Sequence, residues 1–118
     1  MIQINPREIA AEALMEIMTA DAYNTMTLRR LLRQNGAMSR QDRAFVTEVV
    51  NGTLRNLIYI DHVLNTFSKT KTERMKPWLL AVLRSAVYQM YFMEVPDAAA
   101  CNEAVKLASV RGYGALKG

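Results

Sequence analysis

The sequence predicts an all-α domain, a bundle of about six helices. Three observations predict it. Apolar residues recur at three- and four-residue spacing through most of the chain. No stretch alternates apolar and polar residues like a half-buried strand. Each proline, Pro6, Pro77 and Pro96, stands just ahead of a helical pattern, where a missing N–H costs little.

Asn5-Pro6-Arg7-Glu8 is a capped start for a first helix, with Glu8 placed to return a hydrogen bond. Ile9, Ala13 and Ile17 run beside Ala10, Leu14 and Met18, and the outer face is acidic. Asp21 to Asn24 is a turn. A short second helix turns Leu28, Leu31 and Leu32 inward and Arg29, Arg30 and Arg33 outward, and Gly36 stops it. Ser39-Arg40-Gln41-Asp42 is a second capping pattern. It opens a helix with Phe45, Val46, Val49, Val50, Thr53, Leu54 and Leu57 in one wide stripe. Gly52 inside that run costs about 1 kcal/mol relative to alanine, so a close helix contact or a bend is expected there.

Leu57, Ile60, Leu64 and Phe67 predict a further helix to about Lys69. Ser68 to Met75 is a polar, basic loop. From Pro77 the pattern is apolar nearly all round, which places that helix in the middle of the bundle. Asp97 can cap a last helix, with Cys101, Ala104, Val105 and Ala108 on one stripe and a stop at Gly112.

At 118 residues the chain fits one domain, residues 1–118, large enough to fold without a metal or disulfides. Its hydrophobic fraction of 51% is spread evenly, which argues against disorder. The single cysteine cannot form an internal disulfide and is compatible with a cytoplasmic location. Met1 to Glu8 lacks an apolar signal core, and Trp78 to Met93, interrupted by Arg84, Ser85 and Gln89, is too short for a typical membrane span. No membrane partner is expected. His62 has no cysteine near it, so no metal site is expected, and Cys101, between apolar neighbours, is expected in the core. Glu12 and Glu16 serve as solubilising acids rather than a catalytic pair. Gly112-Tyr113-Gly114 lacks the flanking strand and helix of a phosphate loop.

The formal charge is +4, unevenly spread. Met1 to Leu28 is net acidic, whereas Arg29 to Arg43 holds five arginines against Asp42, and Lys69 to Lys76 holds four cations against Glu73. Clustered cations suit a polyanion, because each phosphate contact releases condensed counterions. The leading RNA-binding candidates are Arg29, Arg30 and Arg33, which project to one side of a helix, with Arg40 close by. Arg43 and Arg55 rank lower, since each can pair with Asp42 or Glu48. Lys69, Lys71 and Lys76 form a second surface on a flexible loop. Tyr23 and Tyr59 could stack on bases, with core packing the preferred reading. Arg84 and Glu103 each lie among apolar neighbours and are expected to pair with each other as a structural ion pair.

Three stretches resemble a known family. Ser39 to Arg55, reading SRQDRAFVTEVVNGTLR, resembles a motif of NusB-like RNA-binding domains, closest to the form at the N-terminus of Sun/RsmB-type ribosomal RNA cytosine methyltransferases. Pro77 through Leu83-Arg84 to Tyr88-Gln89-Met90 resembles the family's central helix, and Pro96 to Ala108 resembles its asparagine–glutamate helix. The resemblance implies a NusB-like bundle of two small helical groups, ending here before the family's final helix. It also implies a separate catalytic domain in cis that binds S-adenosylmethionine, with no cofactor in this segment, and ribosomal RNA as partner. The alternatives are a free-standing NusB-type transcription antitermination factor and, from another class, a helical protein–protein adaptor. The antitermination factors resemble one another in an arginine-rich first segment, whereas the first segment here is acidic and holds only Arg7.

Overall fold

The computed structural model describes residues 5–20 and 24–110. They form six α-helices and no strand: α1 (Pro6–Ala20), α2 (Asn24–Gln34), α3 (Arg40–Arg55), α4 (Leu57–Phe67), α5 (Pro77–Phe92) and α6 (Asp97–Ala108). A 3-10 turn at Thr72–Arg74 lies between α4 and α5. None of the described helices is long and apolar enough to cross a membrane. Of the turn expected over Asp21 to Asn24, Asn24 opens α2 and the rest, Tyr23 included, lies outside the described residues. The stop at Gly112 and the Gly112-Tyr113-Gly114 segment lie outside them too.

The helix starts follow the local chemistry. Asn5 Oδ1 accepts from the amides of Arg7 (3.0 Å) and Glu8 (3.3 Å) at the head of α1. Ser39 Oγ accepts from Asp42 N at 3.1 Å at the head of α3. Each bond satisfies a first-turn N–H that has no partner inside the helix. α6 begins on Asp97 itself, directly behind Pro96. Between α5 and α6, Glu94 takes the left-handed backbone (φ 57°) that usually favours glycine. That conformation lets Val95 N–H reach back to the Gln89 carbonyl at 3.0 Å.

α5 packs against α1, α3, α4 and α6. Trp78, Ala81, Val82 and the unbroken run Arg84 to Gln89 are buried. The apolar residues divide around it into two clusters. The larger joins Leu14, Leu31, Val46, Val50, Trp78 and Val82, and the smaller joins Ile60, Leu64, Val87 and Tyr88. Trp78 Nε1 donates to the Leu107 carbonyl at 2.8 Å, so α6 is held by the same ring that fills the core beneath it.

Gly52 is required where α3 meets α5. A methyl group there would overlap Cζ and Oη of Tyr88. The sequence pattern carries one stripe through Leu57, but the chain breaks at Asn56, whose amide bonds back to the Gly52 and Thr53 carbonyls. Its Nδ2 also donates to the Gly52 carbonyl at 2.9 Å. α4 therefore starts afresh at Leu57, and Phe67 at its end is 79% exposed.

Two expectations are corrected. Arg84 is buried and paired, but not with Glu103. Its Nε and Nη2 each reach an oxygen of Asp61 at 2.8 Å, a two-pronged bond from α5 to α4. Such fork-to-carboxylate pairing adds directional specificity to the charge attraction. Glu103 instead meets Lys106 on its own helix at 3.4 Å. Cys101 is exposed, not a core residue. The buried face of α6 is Ala100, Leu107 and Ala108, with Ala104 packed against the core, so Ala104 and Ala108 of the predicted stripe face inward and Cys101 and Val105 do not. Cys101 and Val105 instead line an open apolar groove of about 610 Å³ with Phe67, Leu79 and Leu83.

Gly52→Ala should destabilise by about 1–3 kcal/mol, because overpacking against the Tyr88 ring outweighs the gain in helix propensity. Adding Tyr88→Ala should make the pair less than additive in thermal melts. Asp61→Ala should cost about 3 kcal/mol by stranding the Arg84 charge. Glu103→Ala should cost at most about 1 kcal/mol, as a surface pair does. Equal melting temperatures for the two carboxylate variants would refute the assignment of Asp61.

Candidate nucleic-acid interface

α2 is strongly two-faced. Thr27, Leu28 and Leu31 are buried, while Arg29, Arg30 and Arg33 are exposed. The turn that follows is closed by Asn35, whose Nδ2 donates to the Leu31 carbonyl (2.8 Å) and whose carbonyl accepts from Met38 N (3.0 Å). Met38 is buried and anchors the turn. The end of α2 is thereby brought beside the start of α3, where Arg40 occupies the first helical position and is exposed.

These arginines do not play equal parts. Arg30 forms an ion pair with Glu16, linking α2 to α1. Arg43 is half-buried, and its Nη1 donates to the Leu32 carbonyl at 3.2 Å. It thus satisfies a carbonyl in the last turn of α2, where a cation also meets the negative end of the helix dipole. Arg29, Arg33 and Arg40 are exposed and form no ion pair among the described residues. Such guanidinium groups can hold phosphate oxygens with paired hydrogen bonds. Arg7 is turned to structure: its Nε donates to Gln89 Oε1 at 2.8 Å, and its guanidinium lies 5.2 Å from the centre of the Phe45 ring.

The second basic surface is more ordered than its composition suggests. Asn65 Oδ1 accepts from Thr72 N at 2.8 Å, and Lys71 Nζ donates to the Asn65 carbonyl at 3.1 Å. The loop is therefore fastened to α4 at its midpoint. Lys69, Arg74 and Lys76 are exposed along it. Arg74 joins the three lysines on this surface, a role that only its charge signals in the sequence.

Arg55 ends α3 and is exposed, close to a group of rings whose surroundings differ from expectation. Tyr59, expected in the core, is 48% exposed. It meets Tyr91 and Phe92 edge to face, with ring centres 6.2 and 5.8 Å apart. While Gln89 is buried and Met93 packs against both apolar clusters, Tyr91 and Phe92, in the last turn of α5, face outward and are 50% and 42% exposed. Beneath them Tyr88 stacks on Phe92 at 5.1 Å and donates its hydroxyl to Glu48. Burial pushes the Tyr88 hydroxyl above its ordinary value of 10.0, the Glu48 carboxylate adds to that rise, and Arg55 opposes it. Among the described residues no group of three or more His, Cys, Asp and Glu side chains could hold a metal ion.

The model of the NusB family matches residues 4–118. The chain belongs to the NusB family. It is 40% identical over 114 residues to a probable ribosomal RNA small subunit methyltransferase B of Bacillus subtilis, covering 96% of this chain and 25% of that protein. It is 33% identical to the transcription antitermination protein NusB of Acetivibrio thermocellus, covering 86% of this chain and 71% of that one. The chain thus spans about a quarter of the length of the methyltransferase relative. Its fold matches a chain in the crystal structure of antitermination factors NusB and NusE in complex with dsRNA, with a TM-score of 0.83 over 92% of this chain at 13% identity. The bundle is therefore the family's fold.

The division among arginines predicts a contrast. Arg43→Ala should lower stability by about 1.5–3 kcal/mol, since it removes a charged hydrogen bond to the Leu32 carbonyl. Arg29→Ala and Arg33→Ala should change it by less than about 0.5 kcal/mol, as surface substitutions do. Denaturant melts of the three single variants distinguish the roles, and equal losses would remove the structural role given to Arg43.

Proposed function

We propose that this chain is the RNA-binding domain of a ribosomal RNA cytosine-5 methyltransferase, and that it holds small-subunit ribosomal RNA for a catalytic domain in the same polypeptide. The observation that carries the RNA-binding part is the trio Arg29, Arg33 and Arg40, exposed and without an ion pair among the described residues where α2 meets α3. Phosphate neutralisation by such groups releases counterions and supplies affinity without reading sequence. The methyltransferase part is supported by the 40% identity to a much longer relative whose name states that activity. S-adenosylmethionine would then belong to the rest of the longer protein, and no residue of this chain is assigned to it. A cytoplasmic location, beside ribosomal RNA, goes with this function.

The antitermination reading is supported by the Acetivibrio thermocellus relative, of which the chain spans 71%. Against it stands α1, whose sequence carries Glu8, Glu12 and Glu16, and whose one arginine is tied to Gln89 and Phe45.

The test is fluorescence anisotropy with a small-subunit ribosomal RNA fragment. Arg29→Ala with Arg33→Ala and Arg40→Ala should weaken binding at an unchanged melting temperature. The slope of log affinity against log salt should fall by about 0.7–0.9 for each phosphate that is no longer neutralised. Arg30→Ala, which breaks the pair with Glu16, should weaken binding less than any of the three. Unchanged affinity and slope in the triple variant would remove the assignment and favour the protein–protein adaptor.

A further inference from the structure

The ring cluster at the end of α5 is not explained by packing. Tyr59, Tyr91 and Phe92 together expose far more aromatic surface than one stray side chain would, and contiguous exposed apolar surface of this kind marks binding sites. The rings stand at steep angles, 69° between Tyr59 and Tyr91 and 87° between Tyr59 and Phe92, so they do not close into a flat stack. Between them and Asn56 lies a cleft of about 430 Å³, within the range of about 300–1,000 Å³ usual for small-ligand sites. A second cleft of about 590 Å³ adjoins it across Asn56 and Tyr59 and is lined by Arg55, Ile58 and His62.

The second cleft adds a cation, Arg55, to the amide and hydroxyl groups of the first. Arg55 forms no ion pair among the described residues, and its guanidinium lies beside the Tyr88 hydroxyl, beneath the rings. Asn56 precedes α4 but makes no side-chain cap, its amide nitrogen being committed to the Gly52 carbonyl. The first turn of α4 therefore brings uncapped N–H groups and the positive end of its dipole to the same place as Arg55. Glu48, a carboxylate on the same helix as Arg55, is occupied by the Tyr88 hydroxyl.

We propose that these adjoining clefts form a subsite for one unpaired nucleotide of RNA. Its base stacks among Tyr59, Tyr91 and Phe92, and its phosphate lies at Arg55 and the start of α4. Aromatic faces receive any base, and an adjacent cation receives the backbone, which together is how single strands are held. A duplex keeps its bases stacked on one another and gains nothing from the rings. The proposal rests on the RNA-binding reading above and adds to it a site that touches bases, apart from the α2–α3 junction that carries Arg29, Arg33 and Arg40.

The experiment compares a single-stranded RNA of about ten nucleotides with a duplex of the same sequence, in the wild-type chain and in variants. Tyr59→Ala should lower single-strand affinity about 5- to 150-fold. It should leave duplex affinity and the salt slope unchanged, since tyrosine carries no charge. Tyr59→Phe should bind as the wild type does. Arg55→Gln should lower the single-strand salt slope by about 0.7. A 2-aminopurine placed in the strand should be quenched on binding to the wild type, which reads base stacking without any variant and serves if Tyr59→Ala does not fold. Unchanged single-strand affinity in Tyr59→Ala overturns the subsite, leaves the arginine surface standing, and points the rings at a protein instead. Equal losses on single strand and duplex also overturn it. If the wild type binds neither RNA, both readings fall.

Discussion

Burying α5 on nearly every side constrains the whole bundle, because its apolar residues run almost all the way round and a charged arginine lies among them. No pair of helices can cover such a surface, so α1, α3, α4 and α6 surround it. Arg84 cannot be buried as a bare cation, since the loss of hydration would far exceed what packing returns. Asp61 meets it with both oxygens, and that requirement fixes how α4 lies along α5. The two apolar clusters are then two sides of one helix rather than two separate cores.

A second constraint acts where α3 crosses α5. The Tyr88 ring occupies the space that any side chain at position 52 would fill, so the helices approach through a glycine. The same glycine's carbonyl receives both the amide and the side chain of Asn56, which ends α3 and sends α4 off at once. The close approach and the break are thus one local arrangement. It places Arg55 and the exposed Tyr59 together, next to Tyr91 and Phe92 in the last turn of α5. A surface able to take part in recognition arises there from the way a packing problem is solved.

The cations separate into those that hold the fold and those that face solvent without an ion pair. Arg7, Arg43 and Arg84 bond to interior or helix-end acceptors, and Arg30 ties α2 to α1 through Glu16. What remains on the α2–α3 junction is a smaller positive surface than the sequence displays. Its value for a polyanion is greater for that reason: these guanidinium groups give up no internal ion pair when a phosphate arrives, and they stand on two helices held together by Met38 and Asn35.

The helices, their order and the central place of α5 follow from the sequence alone. They depend on apolar spacing, on prolines ahead of helices and on capping residues, all read within a few positions of the chain. The same reading shows that Gly52 needs a close approach and that Arg84 needs an anion. The partner in either case comes only from the tertiary structure. Asp61 and Glu103 are both acids at plausible distance along the chain, and the path of α4 after Asn56 decides between them. The same limit applies to Cys101, on the edge of the α6 stripe that no other helix covers, and to Tyr59, Tyr91 and Phe92, exposed because no further helix among the described residues covers them. Spacing along a helix says which residues share a face, whereas covering that face depends on where other helices end, and that is a property of the assembled bundle.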